Sequence, residues 1–202
     1  MPGTPTATEI RGADWYGQDL SGQEHTQVLF SGVDLTEATG DGAVFTDCTF
    51  RDCRFNLAQL SDAAFLNCTF TGCSFFDATF TDCKLMGSRF ERCTFDLLTV
   101  RGGDWSFVVL VRADLTRATL TGARMREADL TGVRAAGATL QYLDLSAAEL
   151  HGADLSGADL RGSDLSAMDP RHVDLAGAQV DVTQAVVLVT TLGLDVRPDA
   201  PG

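Results

Sequence analysis

A period of five residues constrains this chain more than any other feature. Counted from Ile10 to Val180, every fifth residue is mostly Phe or Leu, and this central position holds 10 of the 12 phenylalanines. The residue two before it is small, mostly Ala or Cys, and the residue two after it is often Gly. No insertion shifts the frame. A helix with about 3.6 residues per turn would scatter these classes over every position, so the period excludes a long amphipathic helix.

A short extended segment followed by a bend explains the period better. The central and preceding small residues then point inward, and Gly eases the corner. One such unit buries almost nothing, so units must stack, and the simplest closed path has four sides. Residues 20 apart then form ladders, which predicts stacked core side chains at Phe30, Phe50, Phe70 and Phe90, and at Phe55, Phe75 and Phe95. The sequence predicts an all-β protein, a right-handed quadrilateral parallel β-helix over residues 9–180.

The repeat resembles a known family. Residues 153–162 read ADLSGADLRG, and this is similar to the A(D/N)LxG pattern of the pentapeptide-repeat family, which forms right-handed quadrilateral β-helices. The resemblance covers residues 9–180. The end of the chain is similar, more narrowly, to the quinolone-resistance (Qnr-type) group of that family. The matching stretches are Asp169-Pro170, Gly177-Ala178, Val180-Asp181-Val182, Gln184-Ala185-Val186 and Gly193-Leu194. The resemblance implies a homodimeric rod that imitates DNA and binds DNA gyrase.

The overall charge points to a basic partner. The formal net charge is −13 and the sequence pI is about 4.4, which disfavours binding to nucleic acid or to an anionic membrane. Residues 1–50 carry 8 acids and 1 base, residues 51–134 carry 10 and 11, and residues 135–202 carry 10 and 3. The first residues have no basic start and no apolar run, and about 18 consecutive apolar residues occur nowhere. We therefore expect a cytoplasmic protein without a membrane partner.

The acidic residues near the end of the repeat form a regular column. Every residue that precedes a central position from 144 to 174 is acidic: Asp144, Glu149, Asp154, Asp159, Asp164, Asp169 and Asp174. Against Arg161 and Arg171 these seven acids give −5 over about 11 Å of rod, or about one charge per 2.2 Å, compared with ~1.7 Å in duplex DNA. We predict that they form the gyrase-binding surface. The alternative is that Asp suits the turn and keeps the rod soluble.

The other polar residues point to no chemistry. All six cysteines occupy the inward small position, where we expect reduced, buried thiols (Cys48, Cys53, Cys68, Cys73, Cys83 and Cys93). The histidines fall in three different columns, and no pattern suggests a cleft. We therefore expect no catalytic site, cofactor, metal or small-molecule substrate. A stack of Thr79, Thr99, Thr119 and Thr139 is reminiscent of ice-binding arrays, but Arg101 interrupts it and β-branched residues suit strands.

The end of the repeat is predicted to be capped by a helix. Asp181 and Gln184 have the spacing of a capping box, and Gly193 is a stop signal. The apolar stripe between them spans about 160° of the helix, more than one packing face needs. One flank should cover the last turn and the other a second copy of the chain, which gives a two-fold dimer. The stripe, our predicted dimer interface, consists of Val182, Ala185, Val186, Leu188, Val189 and Leu192.

These features combine into one hypothesis. Residues 1–8 are expected to be a flexible N-terminus, 181–196 the helix and dimerisation segment, and 197–202 a flexible tail. The protein is predicted to be a non-enzymatic DNA mimic that inhibits DNA gyrase and gives resistance to fluoroquinolones or other gyrase-directed toxins. The alternative is a generic scaffold that binds another basic protein. Three outward apolar residues, Leu66, Met86 and Phe107, are a further candidate contact surface.

Overall fold

The fold is a stack of four-sided coils closed by one helix. A computed structural model describes residues 8–197. It contains one helix, α1 (Val182–Thr191), and 14 short strands. In chain order the strands are β1 (Thr8–Arg11), β2 (Glu24–Thr26), β3 (Val28–Ser31), β4 (Thr39–Asp41), β5 (Val44–Thr46), β6 (Thr49–Arg51), β7 (Gln59–Ser61), β8 (Ala64–Leu66), β9 (Thr69–Thr71), β10 (Thr79–Thr81), β11 (Arg89–Glu91), β12 (Thr99–Arg101), β13 (Thr119–Thr121) and β14 (Thr139–Gln141).

The strands form three parallel sheets along the rod. Their orders are β1-β3-β6-β9-β11, β14-β13-β12-β10-β7-β4 and β2-β5-β8. Every register is offset by one turn of 20 residues, as in the pairing of Phe50 with Phe70. The fourth side is joined by isolated bridges such as Asp14 with Asp34 and Asp154 with Asp174. The fold class predicted from the period, a right-handed quadrilateral parallel β-helix, is confirmed.

The corners explain the preference for Gly two residues after the central position. Gly72 has φ 65°, in the left-handed region that favours Gly. Asn and Asp also tolerate this region, and Asn67 has φ 52°. Most sides end in a residue with positive φ, so the frequent Gly at this position follows from the backbone geometry of the corner.

The core consists of the predicted ladders. The rings of Phe70 and Phe90 are stacked with centroids 4.7 Å apart and planes 5° apart, and Phe55 stacks on Phe75 at 5.0 Å. Neighbouring ladders meet edge to face, as between Phe50 and Phe55 at 5.5 Å. Offset-stacked and edge-to-face arrangements are the ones that aromatic pairs prefer. Residues 20 apart therefore stack along the rod in both ladders.

The core changes character where the Phe ladders end. Trp105 is 2% exposed, and its Nε1 has no hydrogen-bond partner among residues 8–197. Gly103 lies at the inward small position with φ 84°, and a Cβ there would clash with the Cys83 carbonyl oxygen. Only Gly therefore fits at this position of the turn that carries Trp105. Beyond this turn the core is built mainly from Leu and Ala.

The cysteines are structural. All six are free; five are buried, and Cys93 is half-buried. Their Sγ atoms donate weak hydrogen bonds to backbone carbonyls, as Cys53 does to Phe30 O at 3.5 Å and Arg51 O at 3.4 Å. Burial raises the pKa of Cys83 to about 11, which keeps the neutral thiol at physiological pH. The prediction of small buried side chains at this position is confirmed.

The helix begins at the predicted capping box. The Asp181 side chain accepts a hydrogen bond from Gln184 N at 2.9 Å, and Gln184 Oε1 accepts one from Asp181 N at 2.7 Å. Gly193 has φ 89° just beyond the C-cap, Leu192. Residues 1–7 and 198–202, which make up most of the two predicted flexible ends, lie outside the described residues. No helix within residues 8–197 is both long enough and apolar enough to cross a membrane.

Gln184 also closes the open end of the solenoid. Its side chain is buried, and Nε2 donates to Leu160 O at 2.6 Å and to Ser163 O at 2.7 Å. These two carbonyls belong to the last turns of the repeat, and within residues 8–197 no further strand lies beyond them to donate hydrogen bonds to them. One side chain therefore caps the helix and the sheet edge together.

Replacing Gln184 by Ala is expected to destabilise this end by about 2–4 kcal/mol. The change leaves two buried carbonyl groups without a donor and removes half of the capping box. Hydrogen exchange of residues 155–191 should accelerate, while exchange of the Phe ladders stays slow. Thr183→Ala, at an exposed neighbouring position, is the control. Unchanged exchange in the Gln184 variant would show that the helix closes the end without this side chain.

Candidate functional site

The seven acids predicted as the binding surface, which we call the acidic belt, have a local structural role. In each of the six aspartates of the belt, Oδ1 accepts a hydrogen bond from the backbone N–H two residues later. Examples are Ser156 N to Asp154 at 3.0 Å and Ala176 N to Asp174 at 3.0 Å. Asp34 does the same for Thr36 N at 3.0 Å, far from the belt. The turn therefore explains why Asp occurs at this position, and an Asn Oδ1 could accept the same bond.

The structure does not gather the acidic belt on one side of the rod. A step of five residues advances the chain by one side, so consecutive members lie on successive sides. Residues 20 apart share a side, as Asp154 does with Asp174 through a β-bridge. None of the seven is buried. The belt is a ring of carboxylates around the last two turns.

Arginine neutralises part of the belt. Asp144 pairs with Arg126 Nε at 2.6 Å, Asp159 with Arg161 and Asp169 with Arg171. Four members have no basic group within 4.0 Å among the described residues: Glu149, Asp154, Asp164 and Asp174. These four are the members whose charge is not compensated by a neighbouring basic side chain.

Where the pKa of a belt aspartate is shifted, it is lowered, so that carboxylate is ionised at neutral pH. The Arg161 guanidinium lowers the pKa of Asp159 to about 2. The Ser156 hydroxyl and the Ser156 backbone N–H lower the pKa of Asp154. Hydrogen bonding to the charged form favours it in both cases. The lowered pKa values keep Asp154 and Asp159 ionised at neutral pH.

The predicted dimer stripe divides into two parts. Leu188 packs against the core of its own chain. In contrast, Val182 is 82% exposed, Val186 41% and Leu192 49%. Leu194 and Val196, which lie in the predicted dimerisation segment but outside the predicted stripe, are also exposed and follow the helix. The end of the rod thus carries an apolar surface, the end patch, made of Val182, Val186, Leu192, Leu194 and Val196.

The outward apolar residues form two corners. Leu66 and Met86 lie one turn apart, and Phe107 extends the same corner; Phe107 is 49% exposed. A second corner was missed in the sequence analysis: Leu57 is 39% exposed and Phe76 is 42% exposed. The signal was present, because both residues are apolar at outward positions of the frame. The two corners are two sides apart, on opposite edges of the middle of the rod.

The histidines do not complete a metal site. The rings of His151 and His172 lie 5.0 Å apart, and His172 Nδ1 contacts Asp169 Oδ2 at 3.0 Å. Within residues 8–197, no group of three or more His, Cys, Asp or Glu side chains is placed to hold a metal ion. The surfaces that the structure offers are therefore the acidic belt, the end patch and the two apolar corners.

Comparison with known proteins is consistent with this architecture. Residues 23–100 match the family described as Pentapeptide repeat region, and residues 100–132 and 128–166 match Pentapeptide repeats (8 copies). No curated protein matches the chain. Two trypsin-treated variants of QnrB1, a plasmid-mediated fluoroquinolone resistance protein, have similar structures. One has a TM-score of 0.61 at 23% identity and the other 0.59 at 24%, and each comparison covers 95% of this chain and 98% of the other. At this identity the likeness shows the fold.

Proposed function

The chain belongs to the pentapeptide-repeat family, and from this we propose that it is a Qnr-type DNA mimic that binds and inhibits DNA gyrase. The observation that carries the proposal is the acidic belt at one end of a narrow, regular rod. Four of its seven carboxylates lack a basic partner among the described residues, and the net charge of the whole belt, about one per 2.2 Å of rod, is close to the value of ~1.7 Å per charge in duplex DNA. The structural likeness to a fluoroquinolone resistance protein adds support at the level of fold.

Inhibition by this mechanism is competition for a binding surface. A type II topoisomerase must hold duplex DNA on a basic surface, and a rod with similar charge spacing can occupy that surface. No bond is made or broken, so the proposed activity is binding and not catalysis. Shielding of gyrase from DNA is also the proposed basis of resistance to fluoroquinolones or other gyrase-directed toxins. The proposed location is the cytoplasm, where gyrase acts.

We further propose that the rod is a homodimer joined through the end patch. Exposed apolar residues at one end of an elongated molecule are self-complementary about a two-fold axis. Dimerisation would cover Val182, Val186 and Leu192 and would place two acidic belts next to each other at the centre of a longer rod. The length of continuous negative surface would then approach that needed to imitate a DNA segment.

Val186→Arg is expected to give monomers in sedimentation velocity at tens of micromolar. Val186 is half exposed in the isolated chain, so the variant should fold, but in the dimer it would bury an unpaired charge. Thr183→Arg adds the same charge at an exposed polar position of the helix and should stay dimeric. A wild-type protein that sediments as a monomer at this concentration contradicts the dimer proposal.

The proposed function is tested by a supercoiling assay with purified gyrase. The protein should inhibit supercoiling in the micromolar range or below, and added linear DNA should relieve the inhibition. Binding should weaken steeply as salt is raised, because the interaction is mainly electrostatic. The apolar corners favour the alternative, a scaffold for another protein. That alternative would gain support if gyrase were neither inhibited nor bound at low salt.

A further inference from the structure

The basic side chains of this acidic protein differ in whether they form ion pairs. Nine of its arginines form ion pairs with Asp or Glu. Among the described residues, the remaining six basic side chains have no carboxylate within 4.0 Å. Four of these six lie along one corner of the rod, in its near-neutral middle, and all four are exposed. We call them the arginine edge: Arg51, Arg89, Arg92 and Arg112.

The register places these residues close together. Arg92 and Arg112 are one turn apart at the same corner position, with φ 54° and 56°, so their backbones are separated by about 4.8 Å. Arg89 lies on the side that leads into this corner, three residues before Arg92. Arg51 lies two turns earlier in the column of Glu91, and Asp52 holds the corner position itself. Guanidinium groups on neighbouring turns repel each other, and a bound anion would relieve that repulsion.

A surface groove adjoins the edge. It has a volume of about 410 Å³ and is lined by Arg112, Arg117, Arg134, Asp96 and Asp114, among others. Asp96 pairs with Arg117 at 3.1 Å, and Asp114 pairs with Arg134 at 2.6 Å. Both acids in the groove are thus already occupied, and the Arg112 guanidinium remains available. Val111, which precedes Arg112, is 40% exposed and offers an apolar contact.

We propose that the arginine edge binds a carboxylate-rich peptide segment of a partner protein. Guanidinium groups match carboxylates in a two-pronged geometry, and the interaction is stronger than with a point charge. The edge spans three turns, about 14 Å, which is the length of four or five extended residues. A short acidic segment therefore fits the whole edge, with Arg112 and the groove at one end.

Nucleic acid fits the edge less well. Residues 1–50 and 135–202 on either side of the middle block each carry a net charge of −7, from 8 acids and 1 base and from 10 acids and 3 bases. A polyanion longer than the edge would extend toward these blocks, and their repulsion reaches about 8 Å at physiological ionic strength. A short peptide avoids them. The two regions of the rod thus suit partners of opposite charge: the acidic belt at the end suits a basic partner, and the arginine edge in the middle suits an acidic partner.

The test is binding of fluorescein-labelled hexaglutamate, measured by fluorescence anisotropy at about 20 mM salt. The wild-type protein should bind saturably, and R89Q/R92Q/R112Q should weaken binding about tenfold. The control is R124Q/R126Q/R161Q, which removes three exposed arginines that are held in ion pairs. Both variants have the same net charge, so the difference between them reports the edge. The control should bind within about twofold of the wild type.

The outcomes are distinct. The proposal is wrong if hexaglutamate does not bind, if both variants lose binding equally, or if a hexathymidylate strand binds as tightly as the peptide at the edge. Gyrase inhibition should be unchanged in R89Q/R92Q/R112Q, because the edge lies away from the acidic belt. Failure of the gyrase proposal would leave the peptide result unaffected, and the reverse also holds.

Discussion

Replacing Asp154, Asp159, Asp164, Asp169 and Asp174 by Asn is expected to weaken inhibition of supercoiling at least about tenfold. The variant loses five negative charges per chain. It also frees Arg161 and Arg171 from their ion pairs, which adds uncompensated positive charge to the same turns. A basic DNA-binding surface should therefore be attracted far less strongly to the acidic belt.

The fold should survive these changes. None of the five side chains is buried, and an Asn Oδ1 can still accept the backbone N–H two residues later, as Asp154 does for Ser156 N. Relief of repulsion between Asp154 and Asp174, which share a β-bridge, offsets part of the lost pairing. Far-UV circular dichroism and sedimentation should match the parent protein, so a loss of inhibition can be assigned to charge.

A matched control separates position from net charge. Five other aspartates lie at corner positions with φ between 50° and 53°, where Asn is well tolerated: Asp47, Asp52, Asp62, Asp77 and Asp82. None of them is ion-paired among the described residues. Their replacement by Asn should leave inhibition within about twofold of the parent. If the belt variant inhibits gyrase as well as the parent, charge mimicry by the belt is wrong, and the apolar corners become the better contact.

Phe70→Ala is expected to destabilise the protein by about 3–5 kcal/mol. Phe70 is 1% exposed and lies between Phe50 and Phe90, with ring centroids at 4.8 Å and 4.7 Å. It also meets Phe55 and Phe75 edge to face. Backbone pairing holds the turns on either side of Phe70 at a fixed spacing. These turns therefore cannot move together to fill the cavity that loss of the ring leaves. The unfolding midpoint in urea should fall accordingly.

Phe76→Ala is the control for this change. Phe76 is the same residue type six positions away but is 42% exposed, at an outward corner. Its loss should cost less than about 1 kcal/mol. Equal costs for the two variants would contradict the ladder as the main source of stability. A helical circular-dichroism spectrum of the parent would contradict the fold itself.

The sequence also predicted much of the helical end. Asp181 and Gln184 have the spacing of a capping box, and both of its hydrogen bonds form. The second role of Gln184 could not be foreseen, because it depends on two carbonyls that are more than 20 residues away in sequence and become adjacent only when the last turn closes. The exposed residues Leu194 and Val196 lie in the predicted dimerisation segment but were not part of the predicted stripe, because they follow the predicted stop at Gly193.

The candidate site was only partly predictable. The column of seven acids was evident, but which of them carry free charge depends on arginines at spacings that no repeat specifies. Asp159 pairs with Arg161 two residues later, whereas Asp144 pairs with Arg126 18 residues earlier. The arginine edge was not recognised for the same reason. Whether an arginine forms an ion pair depends on which carboxylates lie near it in the folded chain, and the sequence does not show this.

The sequence by itself determined the four-sided solenoid, its register of 20 residues and the residues of its core. These follow from backbone hydrogen bonding and from alternation of inward and outward side chains, both of which repeat strictly with the chain. Only the tertiary structure decided which charges are paired, which apolar residues share a corner and how Gln184 closes the end. Those outcomes depend on contacts between side chains on neighbouring turns. Each residue has different neighbours there, so the five-residue period does not predict these contacts.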